Sequence, residues 1–440
     1  MSILSLIPLM VTVSGAYFLV RLRFFFLVRP KRCVKMALEN LEGEGAFSSF
    51  TLALAGTLGI GNIVGVAVGI SVGGAGAVFW LLVSSVFSAV IKYSEGAISV
   101  DLGDGKGMIG VIEKSFGIHS SFISKIYAFL ILALAMVMGG ALQSSSMGQC
   151  AHECFDLNPY VCAFIITAAL FFSVVGNSEK IKKIINITIP ATTIIYIFLC
   201  FATVFMNFNR LDDAIYSVFS SAFLPESVGG GVLSFLLSKK IKEGYLRAIL
   251  SNEAGAGTSS IAHSQNPSEN LASVGIMGMC EVLFDTVMLC GLTAAALLVS
   301  VEDFSLSSGV AIVLSGIGGV FGRVSEYLVF VCIFAFAFST LICWYYYGRF
   351  TYRILFADRS SFVFSVLFFA SVFFGATAEG DFLIYASDSV LFLLSVISLS
   401  ALMKNSDRIV LLSENCGIIR TRRKCRVRQT EIRLKYNRED

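Results

Sequence analysis

Three groups of small and uncharged polar residues interrupt apolar stretches of this 440-residue chain. The first is Ala55-Gly56-Thr57-Leu58-Gly59-Ile60-Gly61-Asn62-Ile63-Val64-Gly65, followed by Gly69, Gly73, Gly74 and Gly76. Glycine tolerates unwound backbone and lets a ligand approach the main chain closely. Unwound inside a membrane-spanning helix, such a run frees carbonyl oxygens for a cation and a helix amino terminus for a carboxylate. The same glycines also suit tight helix packing. A second candidate break is Pro225-Glu226-Ser227-Val228-Gly229-Gly230-Gly231, and paired interruptions of this kind point to a binding site at mid-membrane.

The second group is Gly139-Gly140-Ala141-Leu142-Gln143-Ser144-Ser145-Ser146. The neutral Gln143 amide can donate to a carboxylate and accept from an ammonium; hydrogen bonding between helices is its plainer use. The third is Phe338-Ser339-Thr340 with Trp344-Tyr345-Tyr346-Tyr347-Gly348 beyond it. Adjacent hydroxyls are hard oxygen donors suited to a small cation, although most such hydroxyls in helices bond back to the preceding turn. Glu281, Asp285 and Asp388 also stand in apolar runs. An Asp at the centre of a spanning helix costs roughly 2.5–3.5 kcal/mol on insertion scales, so each invites a role. Glu281 and Asp285 are expected one turn apart on one side of a helix, as proton or cation sites or as anchors.

The elements that must position these groups are helices in lipid. The chain is 56% hydrophobic and 14% charged, against about a quarter charged in soluble domains. A spanning helix needs about 20 predominantly apolar residues. Eleven runs qualify, near 3–22, 48–72, 75–97, 123–149, 159–176, 184–207, 216–237, 270–300, 325–347, 361–377 and 382–403. The first has no basic segment before it and Arg21, Arg23, Arg29, Lys31 and Arg32 after it, the arrangement of a retained span and not of a cleaved signal.

Basic residues recur at 21–35, 179–183, 239–247, 349–359 and in the tail from Arg420, whereas the Gly73-Gly74, 152–156 and 379–381 turns are nearly free of Lys and Arg. The positive-inside bias then predicts a multi-pass cell-membrane protein with its amino terminus outside and its carboxyl terminus in the cytoplasm. The division expected is an extra helix and basic loop at 1–45, five helices at 46–210, five at 211–405 and a basic tail at 406–440. The eleven cysteines include no CxxC pair, and no His cluster has metal-ligand spacing. No catalytic residues, no cofactor and no nucleic-acid module are expected; a monomer embedded in the lipid bilayer is.

Arg247-Ala248-Ile249-Leu250-Ser251-Asn252-Glu253-Ala254-Gly255-Ala256-Gly257-Thr258-Ser259-Ser260-Ile261-Ala262-His263 resembles the R-x-x-x-S-N-E-A-G-x-G loop, ending in I-A-H, of the sodium:alanine/glycine symporter family. The Gly59–Ala67 run, the Gly73–Trp80 turn, Lys92 with Glu95, Phe284-Asp285-Thr286 and Phe336–Gly348 are similar as well, in order and spacing. The resemblance spans most of residues 45–403.

It implies an all-α integral membrane protein of about 11 transmembrane helices, with a LeuT-like 5+5 inverted repeat of discontinuous helices plus one extra amino-terminal helix. By the same resemblance, Gly59, Gly61, Asn62, Gln143, Gly229, Gly230, Gly231 and Trp344 would surround a small neutral amino acid. Sodium would lie at Leu58, Gly61, Ser339 and Thr340. Ser251, Asn252 and Glu253 would form a cytoplasmic gate or brace. The implied activity is sodium-coupled symport of alanine or glycine by alternating access. A proton-coupled carrier on the same fold is the alternative; a membrane-embedded enzyme or a passive pore is a remote one.

Overall fold

The computed structural model describes residues 3–41, 45–174, 178–223, 238–266, 271–305, 308–357, 360–416 and 418–419. Among them every regular element is helical. In order, the helices used below are α1 (Leu4–Arg21), α2 (Pro30–Leu41), α3 (Ala46–Thr57), α4 (Val64–Gly73), α5 (Gly76–Leu102), α6 (Met108–Ser115) and α7 (Gly117–Phe155). They continue as α8 (Pro159–Val174), α9 (Lys183–Met206), α10 (Leu211–Ala222), α11 (Lys239–Asn252), α12 (Ser260–His263) and α13 (Leu271–Ser300). The last are α14 (Gly309–Gly319), α15 (Arg323–Leu355), α16 (Phe362–Gly375), α17 (Gly380–Lys404) and α18 (Ser406–Asn415).

Seven of these, α1, α5, α7, α9, α13, α15 and α17, are long and apolar enough to cross a membrane; α3, α4, α8, α14 and α16 are apolar but shorter. A bilayer cannot satisfy freed peptide groups, so apolar sequence in lipid folds into helices. Large exposed side chains such as Phe164, Phe172, Phe198 and Phe205 face outward, as a lipid-contacting surface requires. Polar side chains turn inward.

The bundle has two distinguishable ends. At one, Arg21 pairs with Asp407, Arg408 with Asp101, and Lys106 with Glu113 at 2.9 Å. At the other lie the Gly73-Gly74 turn and the 379–381 turn, the latter lining the mouth of a cavity.

The course of α11 corrects the hydropathy pattern. Residues 239–247 were expected in a basic loop at the same end as Arg21. Instead Lys240 donates to the Ser221 carbonyl at 2.8 Å, and a Cβ on Gly244 would lie 2.5 Å from the Ala77 carbonyl, so α11 begins beside the Gly73-Gly74 turn. It then passes Gly69 at Arg247 and Gly61 at Leu250. Beyond it, Ser264 and Gln265 each donate to the Gly105 carbonyl at 3.1 Å, at the opposite end. Residues 239–265 therefore cross the bundle, which the run at 216–237 was expected to do. Of that run, residues 216–222 belong to α10, and 224–237, including Pro225 and Gly229–Gly231, lie outside the described residues.

This crossing is polar because its charges are paired inside the bundle. Arg247 Nη2 stands 2.5 Å from Asp388 Oδ2 of α17 and 3.7 Å from Glu243 Oε2, and all three side chains are almost wholly buried. Removing one member of such a group leaves an uncompensated buried charge, typically about 3–5 kcal/mol.

Candidate functional site

Helix α3 stops at Thr57 and α4 starts at Val64. Between them Leu58 and Gly59 leave helical geometry and Ile60–Asn62 form a single tight turn. Gly59 is required by crowding: a Cβ there would lie 2.8 Å from Gln143 Oε1 and 2.9 Å from Thr340 Oγ1. Two helices, α7 and α15, thus meet the break where it has no side chain.

Gln143 Oε1 accepts the Ile60 amide at 3.1 Å, one of the donors freed by the break, while its Nε2 donates to the Met138 carbonyl at 3.3 Å. Residues Ala135–Leu142, just before it, form a π-bulge, a distortion common at functional positions.

On α15, Ser339 and Thr340 sit at the centre of a 33-residue helix. Thr340 Oγ1 has three carbonyl oxygens around it: Ala55 at 2.9 Å, Phe336 at 3.0 Å and Leu58 at 3.3 Å. One hydroxyl proton serves one good hydrogen bond, so these acceptors exceed the donors present. Ser339 Oγ is buried without a hydrogen-bond partner. Four oxygens, Ala55 O, Leu58 O, Phe336 O and Thr340 Oγ1, so form an electron-rich set without a formal charge, and Ser339 is the next residue along the helix. Hard cations take such ligands. Ala55 and Phe336 were missed because main-chain oxygens carry no sequence signal; their spacing ahead of Leu58 and Thr340, one helical turn or nearly so, is the only hint.

The hydrogen face of Gly61 turns to α11. A Cβ on it would lie 3.2 Å from the Leu250 carbonyl and 3.3 Å from Ser251 Cα, so it packs the break against α11. Asn62 Nδ2 donates to Asp285, whose other oxygen accepts from Ser251 at 2.7 Å and Thr286 at 3.1 Å. Asn252 donates to Thr286 Oγ1 at 2.9 Å.

Ser251, Asn252 and Glu253 are thus buried at mid-bundle and not in a loop at the membrane face. Glu253 takes a left-handed conformation (φ 54°), Gly255 and Gly257 follow with φ 88° and 74°, and α12 resumes at Ser260. This is the second interrupted helix, opposite the first. Asp285 lies in a π-bulge, Leu283–Cys290. Asp285 bonds with Asn62 and Ser251, whereas Glu281 pairs with Lys92 and His263.

Trp344 is fully buried, donates to the Gly56 carbonyl at 3.3 Å, and presses on Gly139, where a Cβ would lie 2.3 Å from its ring. It buttresses α3 just before the break. A narrow cleft lined by Leu58, Gly59, Asn62, Ile63, Tyr196, Leu289 and Phe336 is too tight for water. A cavity of about 360 Å³, lined by Val64, Val68, Leu142, Ser146, Gln149 and the 379–381 turn among others, opens at the end away from Arg21. Its Val64 and Leu142 walls adjoin Ile63 and Gln143 in sequence.

The family profile described as the sodium:alanine symporter family matches residues 1–415. The chain belongs to that family. It is a multi-pass membrane transporter and not an enzyme. Among curated members, a sodium/alanine symporter of Methanococcus maripaludis, AgcS, is 27% identical, with 83% of this chain and 84% of that one covered. A probable sodium/glutamine symporter of Bacillus subtilis, GlnT, is 25% identical over 88% and 83%. Among solved structures, a manganese transporter of Eremococcus coleocola aligns with a TM-score of 0.50 at 12% identity, covering 88% of this chain and 84% of that one. That last likeness is one of fold alone. In the family member described here, Gln143 and Thr340 meet the first interruption at Gly59 and Ile60, and Leu250 and Ser251, just before the second, pack against it at Gly61.

Proposed function

We propose that the chain couples sodium to the symport of a small neutral amino acid, alanine or glycine, by alternating access. The supporting observation is the four-oxygen set around Thr340, where three carbonyls compete for one hydroxyl proton, next in sequence to the unpartnered Ser339. A sodium ion there ties the broken α3 to the continuous α15. Leu58, Gly61, Ser339 and Thr340 are kept as the ion's ligands, and the Ala55 and Phe336 carbonyls join them.

The amino acid enters through the cavity and reaches its floor at Ile63 and Gln143. Its carboxylate takes the Ile60 amide that Gln143 now occupies, at the amino-terminal end of α4, where the helix dipole favours an anion. The Gln143 amide turns to the ammonium or the carboxylate. Helix α11 and its interruption brace the far side through Asn62, Asp285 and Ser251. The architecture we assign is the LeuT-like 5+5 repeat with one added amino-terminal helix, the amino terminus outside and the basic end of the bundle in the cytoplasm. The cavity then faces outward and residues 253–265 close the inner half. A membrane potential contributes about 2.3 kcal/mol per sodium charge for each 100 mV.

The test is uptake of labelled alanine into proteoliposomes with sodium replaced by choline, and in competition with glycine, serine and glutamine. Loss of uptake without sodium, and inhibition strongest from glycine and unlabelled alanine, is expected. Undiminished uptake in choline overturns sodium coupling and leaves the proton-coupled alternative; inhibition strongest from glutamine overturns the substrate.

A further inference from the structure

A second polar cluster lies below the interruption of α11 and is not used by the symport site. Lys92 and Glu95 stand one turn apart on α5, Glu281 on α13, and Glu253, Ser259 and His263 on the segment between α11 and α13. Each is about 1% exposed. Lys92 Nζ donates to Ser259 Oγ at 2.7 Å and stands 3.6 Å from Glu281 Oε2; His263 Nε2 stands 2.6 Å from Glu281 Oε1; Thr258 donates to Glu253.

The charges do not balance. Three carboxylates face one ammonium and one imidazole, and even a protonated His263 leaves one negative charge over. A dry interior does not hold an uncompensated charge; the group takes up a proton instead.

Of the three, Glu281 has Lys92 and His263 within ion-pairing distance and Glu253 accepts from Thr258, whereas among the described residues no ion pair includes Glu95. Both of its oxygens are buried without a hydrogen-bond partner. Facing it are Lys92 from its own helix, Glu281 from α13, the Gly255 and Gly257 amides from the interruption, and Tyr127 from α7. Tyr127 spends its hydroxyl on the Ala256 carbonyl at 2.6 Å. Lys92 is shared with Glu281 and Glu253, so it does not neutralise Glu95 as well.

We propose that Glu95 is an exchangeable proton site, neutral while segment 253–259 is seated against α5 and ionised when that segment moves away. On undocking, water reaches the carboxyl, its O–H bond breaks, the electron pair stays on the carboxylate and the proton passes to water. Reseating requires the proton back. This rests on the alternating-access reading and adds to it a proton-dependent step distinct from sodium binding.

The test combines two measurements on the full-length protein. Infrared difference spectra of the purified protein in detergent, between acid and alkaline pH, are expected to show the carbonyl stretch of a protonated carboxyl that Glu95→Gln removes and Glu95→Asp displaces. Sodium-driven alanine uptake is expected to decline on the alkaline side, approaching about tenfold per pH unit, with the decline flattened in Glu95→Gln. Lys92→Met, which removes the cation that favours an ionised Glu95, should move the decline to higher pH. A band and a pH profile indifferent to all three substitutions would overturn the proposal; should Glu95→Gln fail to fold, Glu95→Asp and Lys92→Met still decide it. Sodium-independent uptake with the Glu95 band intact would sink the symport reading and support this one, because the spectrum needs no gradient.

Discussion

Thr340 reaches across the bundle to within 2.9 Å of the Ala55 carbonyl oxygen, joining the middle of a continuous helix to the last turn before a broken one. An ion held there reports on the relative position of two elements and not on either alone. Thr340→Ala removes one ligand oxygen, and a single polar interaction of this kind is worth about 1–1.5 kcal/mol. The sodium concentration for half-maximal alanine uptake should rise about tenfold, with the maximal rate at saturating sodium retained and Thr340→Ser near wild type. A sodium titration of uptake checks it; Ser339→Ala should shift the same curve in the same direction.

Gly59→Ala places a methyl group 2.8 Å from Gln143 Oε1 and 2.9 Å from Thr340 Oγ1. Overpacking of a well-filled interior costs about 1–3 kcal/mol, and here both neighbours belong to the site. Uptake should fall by about tenfold or more while the protein remains extractable and monodisperse. Gly74→Ala is the control for space, since nothing lies within 4 Å of that position, although its φ of 73° adds local strain.

Asn62→Asp sets a second carboxylate against Asp285. Two carboxylates in one buried site cannot both ionise, so the variant must carry a proton that the wild type does not need at this place. Transport should be depressed at alkaline pH more than in the wild type and recover in part as the pH is lowered, whereas a variant whose defect is steric keeps the wild-type pH profile. Uptake at matched sodium over a pH series gives the answer.

Arg247 and Asp388 offer a double-mutant cycle on stability. Arg247→Met leaves Asp388 buried without its partner, at a cost of about 3–5 kcal/mol, and Asp388→Met leaves Arg247 with only its longer 3.7 Å contact to Glu243, whereas removing both together is less damaging. Thermal unfolding in detergent should show both single variants well below the double. Near-additive losses would mean that the 2.5 Å contact contributes little.

Much of the arrangement is legible in residue types. Leu58 to Ile63 form a break because Gly59, Gly61 and Asn62 weaken a helix that hydrocarbon would otherwise enforce, and the Ser339-Thr340 pair stands out in an apolar helix. Gln143 is conspicuous for the same reason. The basic segment 21–35 and the tail of α17 share one end of the bundle as charge bias predicts.

Other parts could not be found by reading along the chain. Lys239, Lys240, Lys242, Glu243 and Arg247 make α11 look like a surface loop, because hydropathy charges each residue its full cost of leaving water. That cost is offset by partners remote in sequence, Asp388 for Arg247 and the Ser221 carbonyl for Lys240. Likewise the partners of Glu281 and Asp285, Lys92 and His263 for the one and Asn62 and Ser251 for the other, come from segments remote in sequence.

By itself, then, the sequence established that this chain lives in a membrane, where one of its helices breaks, and which hydroxyls and amide are available to meet that break. Tertiary structure alone decided that the second break begins at Glu253, with Ser251 and Asn252 buried in the helix before it, and that Ala55 and Phe336 supply oxygens beside Thr340. The physical reason is the same in each case: backbone acceptors and compensated charges have no signature in local composition, and they become visible only when distant segments are brought within hydrogen-bonding reach.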